Sequence, residues 1–182
     1  MDVFRQCALF AALFTFTCIH GAPARAKTEV SYINGRTLSI SLNEKARYLY
    51  KEVVIAEVSD PPLMIRPEDR CDPESLRTNA EPCLLRITLA LKNYSRIFGD
   101  NGFFNGENTD CSKWRTNATA VAEVIKQLLV TLQEPWDTPV PLNLPQWMTE
   151  EYLCRDSADR LYSFSIVVAR VFSFLGSRPQ MA

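Results

Sequence analysis

The chain has 182 residues, 47% of them hydrophobic and 23% charged, with a formal net charge of -1. This length and apolar share suit one globular domain with a real core. A charge near zero without a long basic run offers no electrostatic footprint for nucleic acid.

Arg5 precedes an apolar stretch from Ala8 to Ile19, and small residues follow up to Ala26. That layout is a secretory signal peptide, with cleavage expected between Gly21 and Ala26. Residues 1–24 are therefore expected to be a leader, and 25–182 a secreted, extracellular domain with no membrane insertion. The leader removes His20, the single histidine. A chain without imidazole cannot run a Ser-His-Asp or Cys-His mechanism and offers no His ligand to zinc. No catalytic residue, metal or cofactor is expected, and the chain is not read as an enzyme. The acids Glu150 and Glu151 open a predicted helix, where they favour the helix dipole. Cys7 and Cys18 also leave with the leader. Cys71, Cys83, Cys111 and Cys154 remain in an oxidising compartment, where three pairings are possible.

Four amphipathic helices follow. Helix A is expected from Leu42 to Val58, with Ser41 and Glu44 as a capping box and Leu42, Ala46, Leu49, Val53 and Ala56 as its stripe. The segment from Ser59 to Asn79 carries Pro61, Pro62, Pro67 and Pro73 and is expected to be non-helical. Helix B, from Pro82 to Phe98, rests on Leu84, Ile87, Leu91, Tyr94 and Phe98 and stops at Gly99. Cys71 and Cys83 at its entry are close enough in sequence to close a small loop, and that pairing is favoured. Helix C is expected from Ser112 to Gln133 on Trp114, Ala118, Val121, Ile125, Leu128 and Leu132.

The stretch from Glu134 to Gln146 contains Pro135, Pro139, Pro141 and Pro145 and is expected to be extended. About thirteen residues reach roughly 43 Å, whereas a helix of about twenty is roughly 30 Å long. Two long connections around a shorter glycine-bearing turn fit an all-α, up-up-down-down long-chain bundle. In that topology the starts of helices C and D share one end, which brings Cys111 and Cys154 within reach of each other.

The last run, from Leu161 to Leu175, is apolar on more than one side. Leu161, Phe164, Val168, Phe172 and Leu175 form one face at steps of three and four, suited to the core. Ile166, Val167, Arg170 and Phe174 form another, suited to a partner. Roughly twenty apolar residues are needed to span a bilayer, so this run is too short. Arg170 is its only charge and needs either solvent or an acidic partner.

The stretch CDPESLRTNAEPCLLRITLALKNYSRIFGDNGFFNG, from Cys71 to Gly106, resembles the helix-B approach and helix B of the interleukin-23 alpha-subunit family. VVARVF, from Val167 to Phe172, resembles helix D of the same family, and a proline-rich segment ending in Trp147 precedes it. The resemblance implies a long-chain four-helix cytokine subunit of the interleukin-6 and interleukin-12 group. It further implies pairing with the interleukin-12 beta subunit, and pro-inflammatory signalling through the interleukin-23 receptor and the interleukin-12 receptor beta-1 chain. The family's helix-D arginine, which enters an acidic pocket on the beta subunit, falls on Arg170. Its receptor-contacting tryptophan falls on Trp147, allowing a one-residue difference in spacing. The family's cysteine for the intersubunit bond is replaced by Pro67. Either the heterodimer is held without that bond, or Cys111 or Cys154 supplies it. Asn93 in NYS and Asn117 in NAT are glycosylation sequons.

Two other readings remain. A single-chain interleukin-6-type cytokine would act without a companion, and a secreted helical carrier would hold an apolar ligand between its helices.

Overall fold

Residues 31–53, 67–105, 110–134 and 150–177 are described by the computed structural model, and among them every regular element is helical. Helix α1 spans Tyr32–Val53, α2 Pro73–Thr78, α3 Glu81–Phe98, α4 Arg115–Thr131 and α5 Glu150–Gly176. Single 3-10 turns occupy Pro67–Asp69 and Asp110–Trp114.

Side-chain contacts fix the direction of each helix. Asn43 donates to Ser165 Oγ at 3.0 Å, while Tyr50 stacks on Tyr162 with ring centroids 5.1 Å apart, so α1 and α5 run antiparallel. Asn34 donates to Thr131 Oγ1 at 3.2 Å near one end of the α1–α4 pair, and Asn117 donates to Glu52 near the other. A disulfide between Cys111 and Cys154 joins the entries of α4 and α5, with Cα atoms 5.6 Å apart. At the opposite end, Arg77 of α2 lies over the Phe174 ring at 5.7 Å, which sets the approach to α3 beside the end of α5. Thus α1 and α3 point one way and α4 and α5 the other, the expected up-up-down-down order.

Helix α1 begins ten residues before the expected start at Leu42. Ser41 and Glu44 are therefore interior residues, and their capping box does not form. Ser31 stands at the true entry, where its hydroxyl accepts from the Asn34 amide at 3.4 Å. The buried face reads Gly35, Ser39, Leu42, Ala46, Leu49, Val53. Its first two members carry no apolar signal, because the Phe172 ring fills the space in front of Gly35. A Cβ built there would sit 2.5 Å from that ring. Residues 54–58 of expected helix A lie outside the described residues.

The segment from Ser59 to Asn79 holds more helix than its prolines suggested. Pro73 sits at the first helical position, where its missing N–H is harmless. The Asp72 carboxylate caps α2 by accepting from the Glu74 and Ser75 amides at 3.0 and 2.9 Å. Hydrogen bonding from Ser75 holds that carboxyl below its ordinary value. The cap is therefore present at neutral pH and is lost as pH falls through the lowered pKa. Cys71 and Cys83 bond with Cα atoms 5.0 Å apart, tying this segment to α3.

Helix α3 ends at Gly99, which is extended rather than left-handed. Asn105 satisfies the exposed end by donating to the Phe98 and Gly99 carbonyls at 3.0 and 2.9 Å. The turn brings Phe104 back onto Phe98, with Phe103 stacked on Phe104. An aromatic ladder then continues through Tyr94, whose ring centroid lies 5.2 Å from that of Phe164 on α5. Expected helix C begins as the 3-10 turn, becomes α-helical only at Arg115, and stops at Thr131. Beyond it Gln133 takes a positive φ of 62°. The crossover from Pro135 to Thr149, including Trp147, lies outside the described residues.

Two stability predictions follow from this packing. Gly35→Ala should destabilise the fold by about 1–3 kcal/mol despite its better helix propensity, since the methyl collides with a fully buried ring. Chemical denaturation reads this out, and an unchanged midpoint would show that Phe172 yields freely. Tyr94 is buried, and its hydroxyl has no hydrogen-bond partner among the described residues. Burial pushes its ionisation well above the ordinary 10.0. A raised folded pKa means that stability is retained below about pH 10 and lost as pH rises beyond it. Tyr94→Phe should therefore be neutral or stabilising by up to about 3 kcal/mol at pH 7. It should also lessen the alkaline loss, as measured by melting at pH 7 and pH 11.

Candidate functional site

Helix α5 is the longest described element, and its two sides have different surroundings. Leu161, Phe164, Val168, Phe172 and Leu175 are all buried in the bundle core. On the other side Ile166, Val167 and Phe174 are half-buried, and Arg170 is exposed. Val167 and Phe174 rest on the edge of the core. The Arg77 guanidinium over Phe174 covers part of this face from within the chain. No contact of that kind reaches Arg170, which forms no ion pair among the described residues.

The first half of α5 treats its charges differently. Arg155 pairs with Glu151 at 2.7 Å, and Arg160 pairs with Asp156 at 2.7 Å, each one helical turn apart. Glu151 thus belongs to a helix-surface ion pair, which is a structural role for a residue of the Glu150–Glu151 doublet. Arg170 lies among apolar neighbours with a guanidinium still in solvent. A planar guanidinium so placed can grip a carboxylate through two parallel N–H···O bonds, with apolar surface around the contact to exclude water.

Sequence reasoning missed Arg77, because the helix carrying it was expected to be loop. The DPES start of α2, with Asp72 as cap and Pro73 inside it, was the available signal. It also missed the apolar residues that α1 turns outward, Ile33 at 66% exposure and Ile40 at 41%. These precede the point at which helix A was expected to begin.

The cysteines close two internal bonds, Cys71–Cys83 and Cys111–Cys154. This overturns the alternative in which Cys111 or Cys154 supplies an intersubunit disulfide. The two sequons differ as well. Asn93 is exposed on α3, whereas Asn117 is half-buried between α4 and α1 and donates to Glu52. Two grooves between α1 and α4, of about 220 and 270 Å³, mix charged and amide groups such as Glu44, Lys45, Asn117, Glu123 and Lys126 with apolar ones such as Tyr48, Leu38 and Val130. No helix among the described residues is long and apolar enough to cross a membrane.

A disulfide-pinned up-up-down-down bundle with a half-covered last helix defines a helical cytokine of the long-chain class. The family model for interleukin 23 subunit alpha matches residues 46–176. The chain belongs to that family, whose members are cytokines rather than enzymes. Interleukin-23 subunit alpha of Sus scrofa is 34% identical over 110 residues, covering 58% of this chain and 55% of that protein. Its counterpart from Homo sapiens is 33% identical over 110 residues, covering 58% and 57%. The chain spans a little over half the length of each of these relatives.

Proposed function

We propose that the chain is a secreted cytokine subunit that assembles with a receptor-like beta subunit, of the interleukin-12 beta type, into an interleukin-23-like heterodimer. The observation that carries this reading is Arg170, an exposed cation with no ion pair among the described residues, bordered by Ile166, Val167 and Phe174 on a face that the bundle leaves half-covered. Docking an acidic pocket over that face would desolvate the guanidinium against a carboxylate and bury the surrounding apolar surface. Membership of the interleukin-23 alpha family supports the choice of partner. The heterodimer would then engage the interleukin-23 receptor and the interleukin-12 receptor beta-1 chain. Trp147, outside the described residues, is proposed as a receptor contact. The leader assigned to residues 1–24 directs the chain out of the cell.

Arg170→Ala should weaken binding to the beta subunit by about 2–5 kcal/mol, while shifting the stability of the subunit itself by no more than about 0.5 kcal/mol. Titration calorimetry and thermal melting measure the two effects. Wild-type affinity in the variant would remove Arg170 from the interface. Pro67 replaces the family's bridging cysteine, and both described cysteine pairs are internal. The assembled heterodimer should therefore separate into its two chains on a denaturing gel without reductant. A band at the summed mass that collapses only on reduction would refute a non-covalent assembly.

A further inference from the structure

We propose that Asn93 carries an N-linked glycan on the secreted chain and Asn117 does not, and that the glycan shields an apolar column on α3. The proposal rests on the secretory reading above. Both sequons satisfy the same local rule, so the choice between them comes from the fold.

Leu85, Leu89 and Asn93 follow one another at steps of four along α3 and therefore line one side of it. Leu85 is 57% exposed and Leu89 47%, and Asn93 at the end of the column is exposed with no hydrogen bond among the described residues. A sugar on Asn93 displaces nothing and lies directly beside the two leucines. Asn117 is in the opposite situation. Its amide is engaged by Glu52, and it lines the groove that Glu44, Lys45 and Tyr48 share with α4. A glycan there would break the Glu52 contact and wedge apart α1 and α4, which pack along their length.

The transfer must precede folding. In the folded chain Ser95 is only 5% exposed, and its hydroxyl donates to the Lys92 carbonyl at 2.7 Å. The sequon serine is thus out of reach once α3 has formed. On the extended chain, Asn93 Nδ2 forms a bond to the anomeric carbon of an oligosaccharide as that carbon's bond to a lipid pyrophosphate carrier breaks. One amide proton and the pyrophosphate-bearing lipid leave. Folding then accommodates the product at Asn93. Chains modified at Asn117 cannot close α1 against α4 and are not secreted.

The test is expression of the full chain in cultured animal cells, followed by treatment with the amidase that strips N-glycans and by peptide mass measurement. The wild-type chain should lose one glycan step and leave aspartate at position 93. Asn93→Gln should migrate at the stripped position before treatment, and Asn117→Gln should behave as wild type. Asn93→Gln should also self-associate at a lower concentration than wild type, and adding Leu85→Lys with Leu89→Lys should reverse this. Loss of residues 1–24 without sugar on Asn93, or sugar on Asn117, overturns the site assignment alone. An Asn93→Gln chain as monomeric as wild type overturns the shielding. Retention of residues 1–24 with no sugar overturns the secretory reading, and the proposal with it.

Discussion

Helix α5 has more apolar circumference than three neighbouring helices can enclose. A helix whose second half is rich in Val, Ile, Phe and Leu on more than one side presents a second apolar side once its first is buried. In this bundle the first side takes Leu161, Phe164, Val168, Phe172 and Leu175 into the core. The second stays at the boundary, partly roofed by Arg77 and centred on a cation in solvent. Several long-range features of the fold hold α5 in that position.

Close approach by α1 is the first of these. Gly35 removes side-chain bulk where the Phe172 ring presses against the helix, and Ser39 is buried one turn further on, so α1 packs along α5 almost from its first turn. The Cys111–Cys154 bond fixes the other end, because it holds the entry of α5 to that of α4 and so sets which side of α5 turns inward. Such a cross-link acts chiefly by restricting the unfolded chain, and a link across a long loop restricts it most. Cys71–Cys83 has a local effect. It ties the turn before α2 to α3, which leaves Arg77 beside Phe174 at the exposed edge.

The parts of this arrangement that obey simple periodicity were legible in the sequence. Steps of three and four separated the buried from the half-covered side of α5, and the same rhythm located α3 and the body of α4. Loop lengths alone implied the order of directions, and with it the reach between Cys111 and Cys154. What failed to show was carried by residues whose burial does not depend on being apolar. Gly35 is buried because a ring needs its space, and Ser39 is buried although polar, so the first ten residues of α1 looked like a polar entry. The helix α2 was hidden by prolines that mark its start rather than forbid it. Arg170 and its neighbours could be assigned to one side of a helix, but the Arg77 contact on Phe174 required the fold. The family match begins at residue 46, after the part of α1 that periodicity missed.

If the second side of α5 is a protein interface, the Arg170 guanidinium must pass from water to a carboxylate when the partner binds. Labelling with an arginine-selective dicarbonyl reagent, quantified at Arg170 by mass spectrometry in the lone subunit and in the co-secreted complex, follows that transfer directly. Rapid labelling of the free subunit and protection in the complex, with Arg47 labelled equally in both, is the expected result. Equal labelling of Arg170 in the two states would contradict an interface on this side of the helix.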